Sequence, residues 1–143
     1  MLTDTEKLLK ECDAGSKTAV NSIEAVIDRT ESEGLHQLLV EALDTHKRLG
    51  QEIHDLLNQH AEKGKEPNVM ARSMAKMKIE MKMLQENSDH TVADLMIDGC
   101  NMGIKSLSEY INQYQKADKA SRDIAARLVN AEQTFMDRLR MYL

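Results

Sequence analysis

The side chains that could bind a metal ion are carboxylates and histidines in the middle of predicted helices. A glutamate and a histidine three positions apart share one helical face, and together they suit iron or manganese. The one such pair, Glu33 and His36, lies at the start of a helix rather than in its middle. The mid-helix candidates are Glu24, Glu41, His46, Asp94, Asp98 and Glu132. Their spacing forms no complete ligand set, so a metal centre is an alternative rather than the leading hypothesis.

An internal repeat provides a test of these candidates. Residues 8–23 (LLKECDAGSKTAVNSI) match residues 96–111 (MIDGCNMGIKSLSEYI) at an offset of 88, and the repeat continues further along at an offset of 89. His46 then corresponds to Phe135, a position that favours a ring filling space, and Glu24 corresponds to Asn112. A symmetric two-metal centre would need ligands in both halves. We therefore expect His46 to be a core histidine with satisfied hydrogen bonds rather than a ligand.

The two cysteines and two of the glycines occupy matching places in the repeat. Cys12 corresponds to Cys100 and Gly15 to Gly103, each on the predicted buried stripe of its helix. With no second cysteine or histidine at metal-binding spacing, the cysteines are expected to be small buried residues. Glycine inside a helix costs about 1 kcal/mol relative to alanine, so its use in both copies indicates a packing requirement. We expect the helices that carry Gly15 and Gly103 to cross closely there.

The composition favours long helices. Charged residues make up 30% of the chain and aromatic residues 3%, and there is one proline, whereas strands favour β-branched and aromatic side chains. At 143 residues the chain can form one domain, 1–143, with a buried core. The net charge of -5 provides no basic surface to neutralise phosphates, so no nucleic-acid partner is expected. The fold class predicted is all-α.

The N-terminus and the apolar runs predict the location. Residues 1–6, MLTDTE, lack the basic and apolar regions of a signal peptide and instead resemble a helix start, with Thr3 and Glu6 as a capping box. No stretch of about 20 apolar residues is present to span a membrane. A cytoplasmic protein with reduced thiols is therefore expected.

Helical periodicity divides the chain into two hairpins, residues 3–62 and 89–143, with a crossover segment at 63–88 between them. The first helix is predicted to end near Gly34, in the left-handed conformation that closes many helices, and the last to span about 118–142. Twenty residues of helix extend about 30 Å, most of the length of such a bundle. The segment could therefore return the chain from one end of the bundle to the other, while the rival arrangement has it protrude or continue into the following helix.

The crossover segment combines a methionine stripe with basic residues. Met70, Met74, Met77 and Met81 recur at alternating steps of four and three, and Lys76, Lys78 and Lys82 contribute to a local net charge of +4. The favoured interpretation is that the methionines cover the bundle core while the lysines face water. The alternative is an adaptable apolar surface for an acidic partner or an anionic membrane. The acidic bundle of a second copy is one such partner, which makes a homodimer plausible.

Two repeated hairpins joined by a long crossover resemble the ferritin-like fold. The segments ECDAGSKTAVNSIEAVI, RLGQEIHDLL and DLMIDGCNMGIKSLSEYINQY are similar to those of an uncharacterised bacterial family of ferritin-like helical bundles with no assigned activity. The resemblance covers nearly the whole chain but consists of packing motifs. It implies a ferritin-like four-helix bundle, and it implies iron or manganese only as an analogy.

Three functional hypotheses follow. The leading one is a non-enzymatic, oligomeric protein with a structural or protein-interaction role and no cofactor, because no nucleophile paired with a base and no glycine-rich cofactor loop is present. The alternative is a degenerate ferritin-like metal-binding oxidoreductase or metal-storage protein that uses the six candidates above. The third is a peripheral membrane or adaptor protein that acts through the basic, methionine-rich helix, which requires its apolar stripe to be exposed.

Overall fold

The computed structural model describes all 143 residues, and its regular structure is entirely helical. The five α-helices are α1 (Asp4–Val26), α2 (Glu33–Gln59), α3 (Val69–Gln85), α4 (Asp89–Gln113) and α5 (Lys119–Leu139). Short 3₁₀ turns at Ile27–Arg29 and Arg140–Tyr142 follow α1 and α5. The predicted all-α class is confirmed. None of these helices combines the length and the apolar character that crossing a lipid bilayer requires.

Each helix begins at a side chain that caps it. An oxygen of the capping residue accepts a hydrogen bond from a backbone N–H of the first turn, which would otherwise lack a partner. The caps are Thr3, Ser32, Asn68, Ser88 and Asp118. The predicted capping box of Thr3 and Glu6 is confirmed. Local sequence therefore fixes where the helices start.

The prediction that the first helix ends near Gly34 is wrong. α1 ends at Val26, Gly34 lies in the first turn of α2, and no glycine of the chain has a positive φ. The turn is instead held from outside, because the carboxylate of Asp89 accepts hydrogen bonds from the N–H groups of Glu31 and Ser32, at 2.8 and 2.9 Å. The turn is therefore held by a contact between Ser32 and Asp89, 57 positions apart in the sequence, and not by the predicted glycine conformation.

Four helices pack into a bundle in which α1 and α5 each lie between α2 and α4. Asp89, at the start of α4, contacts Ser32, at the start of α2. At the other end, the N–H of Asp118, just before α5, donates to Thr5 Oγ1 at 2.8 Å, near the start of α1. Helices α2 and α4 therefore run in the same direction, opposite to α1 and α5.

Helix α3 lies on the outside of this bundle, against α1 and α4. Its preceding loop is fixed near the middle of α1, where Lys17 pairs with Glu66 at 2.8 Å, and Glu80 then pairs with Arg29 beyond the end of α1, also at 2.8 Å. α3 thus runs along α1 and returns the chain from the end of α2 to the start of α4. Two residues of α3, Ile79 and Met83, are buried.

The core consists of two apolar clusters stacked along the bundle. One contains Ala42, Cys100 and Phe135 and lies toward the start of α2. The other contains Leu49 and Leu128 and lies toward the start of α5. On α2 and on α5, these residues of the two clusters are about two helical turns apart, and a polar pair occupies the boundary between them.

Candidate functional site

The polar pair at this boundary consists of His46 on α2 and Glu132 on α5. His46 is 1% exposed and Glu132 6%. His46 Nε2 lies 2.5 Å from Glu132 Oε1, and Nδ1 lies 2.7 Å from the carbonyl oxygen of Ala42, one turn earlier. The ring also meets the edge of Phe135, with 6.4 Å between the centroids. His46 thus lies in the core with both ring nitrogens hydrogen-bonded. Phe135, which corresponds to His46 in the repeat, packs against its ring.

The hydrogen bonds constrain the protonation of His46. The Ala42 carbonyl can only accept, so Nδ1 carries a proton; Nε2 then either donates to a carboxylate or accepts from a protonated acid. Burial of the ring opposes its protonation, but the hydrogen bond and charge of Glu132, together with the Ala42 carbonyl, outweigh it and raise the pKa of His46 above its ordinary 6.5. The raised pKa of His46 favours the form of the pair in which Nε2 donates to Glu132 Oε1.

Two residues of α4 complete the surroundings of Glu132. Gly103 leaves room for the carboxylate, since a Cβ there would lie 3.4 Å from Glu132 Oε2. Cys100 is 2% exposed, and burial, followed by the negative charge of Glu132, raises the pKa of its thiol far above the ordinary value. A thiol that stays protonated is a poor nucleophile. The cluster is thus suited to holding helices together rather than to covalent catalysis.

The other four metal candidates lie apart from this cluster. Each sits in an ion pair with a surface cation, and the pairs are Glu24 with Lys47 at 3.8 Å, Glu41 with Arg138 at 2.7 Å, Asp94 with Lys82 at 3.4 Å and Asp98 with Lys78 at 3.5 Å. Of the six candidates, His46 and Glu132 are the two that the structure joins by a hydrogen bond. No group of three or more His, Cys, Asp or Glu side chains is arranged to hold a metal ion.

The repeated cysteines and glycines have different surroundings in the two halves. Cys12 and Cys100 are both free and buried, and burial raises the pKa of Cys12 to about 12. A Cβ at Gly15 would lie 3.8 Å from Leu107 of α4, an ordinary contact, whereas Gly103 faces Glu132 of α5. The expected close crossing at both glycines is therefore wrong for Gly103, because the space there accommodates a carboxylate instead of α1.

The expectation that the methionine stripe of α3 covers the core is also wrong. Met70, Met74, Met77 and Met81 are between 73% and 55% exposed, and Leu84, the next residue in the pattern, is 85% exposed. Ile79 and Met83, on the opposite side of the helix, face the core instead. Helix α3 therefore carries apolar residues on two faces, and the longer of the two, which we call the Met stripe (Met70, Met74, Met77, Met81 and Leu84), points outward.

The basic residues of α3 are largely used to hold it in place. Lys78 and Lys82 pair with Asp98 and Asp94 of α4, as described above, while Lys76 makes no ion pair. Met102 is 69% exposed and lies one turn beyond Asp98 on the same face of α4, so it extends the exposed apolar surface. The outward side of α3 is thus mainly apolar rather than basic.

Sequence analysis missed the buried carboxylate of Asp13. It is 3% exposed, and its Oδ2 accepts from the backbone N–H of Lys65 at 2.8 Å and pairs with Lys17 Nζ at 2.7 Å. This contact fastens the loop before α3 to α1. Local spacing contains no signal for a partner 52 residues away. Glu132 was named from the sequence only as a metal candidate; its place in the core could have been inferred from the repeat, which puts the apolar Leu43 at the equivalent position.

The raised pKa of His46 predicts how stability depends on pH. A group whose pKa is higher in the folded chain stabilises the fold below its unfolded pKa, and that contribution is lost as the pH rises through the folded value. We therefore expect the stabilisation contributed by His46 to be present in full below pH 6.5 and to decline at higher pH. Urea denaturation across this range measures it, with the His46→Phe/Glu132→Leu double variant as the control for all other groups. Equal pH dependence in the two proteins would contradict the prediction.

Comparison with known proteins does not assign the chain to a family. No protein-family model matches the chain, and neither the curated proteins nor the solved structures contain a significant match.

Proposed function

We propose that the protein is a non-enzymatic helical scaffold that binds another protein through the Met stripe of α3. The observation that carries the proposal is the exposure of the Met stripe on the face opposite Ile79 and Met83. A helix with apolar residues on two faces is typical of one that is covered on both. Methionine suits such a surface because its unbranched side chain adapts to the shape of a partner.

The buried cluster supports a structural role over an enzymatic one. Every buried side-chain polar atom has a hydrogen-bond partner, so no group there awaits a substrate. Both nitrogens of His46 are occupied, and the thiol of Cys100 is held protonated beside Glu132. A ferritin-like arrangement, with the two repeated hairpins joined by α3, is part of this proposal, as is a scaffold that needs no metal.

The charges favour a protein partner over an anionic membrane. A helix lying on such a membrane needs free cations beside its apolar face. Lys78 and Lys82 are paired with α4, and the chain as a whole has a net charge of -5, which an anionic surface would repel. The proposed partner therefore presents an apolar surface of its own.

Methionine oxidation in cells that produce the protein tests this function. Brief peroxide treatment followed by mass spectrometry gives an oxidation rate for each methionine. We expect Met74 and Met77 to react slowly, close to the buried Met83, because a partner covers them. Met141, which is 79% exposed and lies outside the Met stripe, should react fast in the same sample. Oxidation of Met74 and Met77 as fast as Met141 would overturn the proposal.

A further inference from the structure

We infer that the partner of the Met stripe is the same stripe of a second copy of the chain, so that α3 pairs with α3 about a twofold axis. This inference rests on the proposed function and names its partner. Closed twofold dimers are the commonest assemblies of soluble proteins, and their interfaces bring identical surface patches together. A patch that binds its own copy must be apolar at its centre and free of opposing like charges, and the Met stripe meets both conditions.

The spacing of the Met stripe matches the surface of another helix. Its residues follow steps of four, three, four and three, which is the seam of a two-stranded coiled coil. Such a seam covers five apolar layers over four helical turns. Flat or irregular partners do not require this periodicity, whereas a second copy of α3 supplies the same layers at the same spacing.

The charges beside the Met stripe permit self-association. The positions that flank a coiled-coil seam are Ala71, Ser73, Lys78, Glu80 and Gln85. They contain one lysine and one glutamate, and each is already paired within its own copy, Lys78 with Asp98 and Glu80 with Arg29. Two copies can therefore approach without a row of like charges across the interface.

The charges that flank the Met stripe disfavour a strongly charged partner. Lys78 and Glu80 are already paired within the chain, so a helix rich in either charge would bring charges that find no free partner beside the stripe. The stripe of a second copy brings little uncompensated charge to the contact. Charge complementarity therefore selects the second copy over a charged helix of either sign.

Sedimentation equilibrium of the purified full chain tests the inference. The mass is expected to rise from 16.2 kDa toward twice that value as the concentration increases. Met77→Lys, at the centre of the Met stripe, is expected to weaken the association by at least about tenfold, because central interface positions carry most of the binding energy. Met141→Lys is the matched control, an exposed methionine outside the stripe, and should associate as the native chain does.

Disulfide trapping locates the interface directly. In a twofold pair the middle of the stripe lies close to its own copy, so Met77→Cys should form a covalent dimer under mild oxidation. The native cysteines do not interfere, because Cys12 and Cys100 are buried. Met141→Cys should remain monomeric under the same conditions. A covalent dimer of the first variant alone supports the inference.

The outcomes separate this inference from the proposed function. A purified chain that stays monomeric, while Met74 and Met77 are protected in cells, means that a different protein covers the stripe; the inference then falls and the proposed function stands. A dimer that Met77→Lys does not weaken also overturns the inference, since it must use another surface. A monomer whose stripe is fully oxidised in cells overturns both.

Discussion

Replacing His46 with phenylalanine is expected to lower the free energy of unfolding by about 3–5 kcal/mol. The change removes the cation from a buried ion pair and leaves the carboxylate of Glu132 without a charged partner in the core. The ring itself fits, because the repeat places Phe135 at the equivalent position of α5. Glu132→Leu is expected to cost about 1–3 kcal/mol, since His46 can become neutral but loses the acceptor for Nε2. Urea denaturation measures both changes.

The double variant His46→Phe/Glu132→Leu is expected to recover most of this loss. It introduces the residue types that the repeat places at the two equivalent positions, Leu43 for Glu132 and Phe135 for His46. Replacing a buried ion pair by packed apolar residues ranges from neutral to stabilising by about 1–4 kcal/mol. The two changes should therefore be strongly coupled. A double variant whose loss equals the sum of the single losses would show that the two residues do not act as a pair.

A second pair on the same two helices provides the control. Glu41 and Arg138 also join α2 to α5, at 2.7 Å, but both side chains are about half exposed. Exposed ion pairs contribute little because water screens them and their side chains lose freedom. Glu41→Gln should therefore leave the unfolding transition nearly unchanged. The contrast attributes the large effect at His46 to burial rather than to loss of any contact between the two helices.

The comparison of His46 with Phe135 suggests what the pair contributes. The repeat shows that an apolar pair can occupy the equivalent place, so the ion pair is not needed to fill the core. It lies between two apolar clusters, where a polar contact with one geometry can fix how α2 and α5 align. We interpret the His46–Glu132 pair as fixing the alignment of α2 with α5. Its net contribution to the stability of the fold is limited, because two charges must be removed from water to form it.

The sequence predicted those features of the fold that depend on neighbouring residues. The start of the first helix at Thr3 was predicted from its capping box with Glu6, three positions along the chain. The partners of Asp13 and Asp89 lie more than 50 residues away and leave no local pattern. The end of α1 was misplaced for that reason, since a distant carboxylate rather than Gly34 fixes the turn.

The Met stripe shows a different limit of sequence analysis. Periodicity reveals that a helix has an apolar face, but not whether that face meets the bundle or a partner. The two residues that do face the core, Ile79 and Met83, form a pattern of only one turn and are easily overlooked beside the longer stripe. Among the site residues, the role of His46 was open to prediction through the repeat, whereas the outward orientation of the stripe required the structure.

Replacing both Ile79 and Met83 with alanine is expected to detach α3 from the bundle without unfolding the rest. Truncating a buried isoleucine or methionine to alanine costs about 2–5 kcal/mol, and these are the two buried residues of α3. The ion pairs that remain, of Glu80, Lys78 and Lys82, have side chains 36–51% exposed and contribute at most about 1 kcal/mol each. A helix of 17 residues is marginal by itself in water. Hydrogen exchange should therefore become fast throughout α3 while α1 and α5 stay protected.

The control truncates apolar side chains on the outward face of α3 instead. Met74→Ala/Met81→Ala removes a comparable apolar volume from side chains that are 65% and 55% exposed, so at concentrations where the chain is monomeric the protection of α3 should not change. At concentrations where two copies associate, this variant should lose the added protection that pairing gives the native helix. Equal effects of the two double variants in the monomer would mean that α3 does not rest on the bundle through Ile79 and Met83. The two experiments thus separate the face that anchors α3 from the face proposed to bind, because each variant disturbs one face and leaves the other intact.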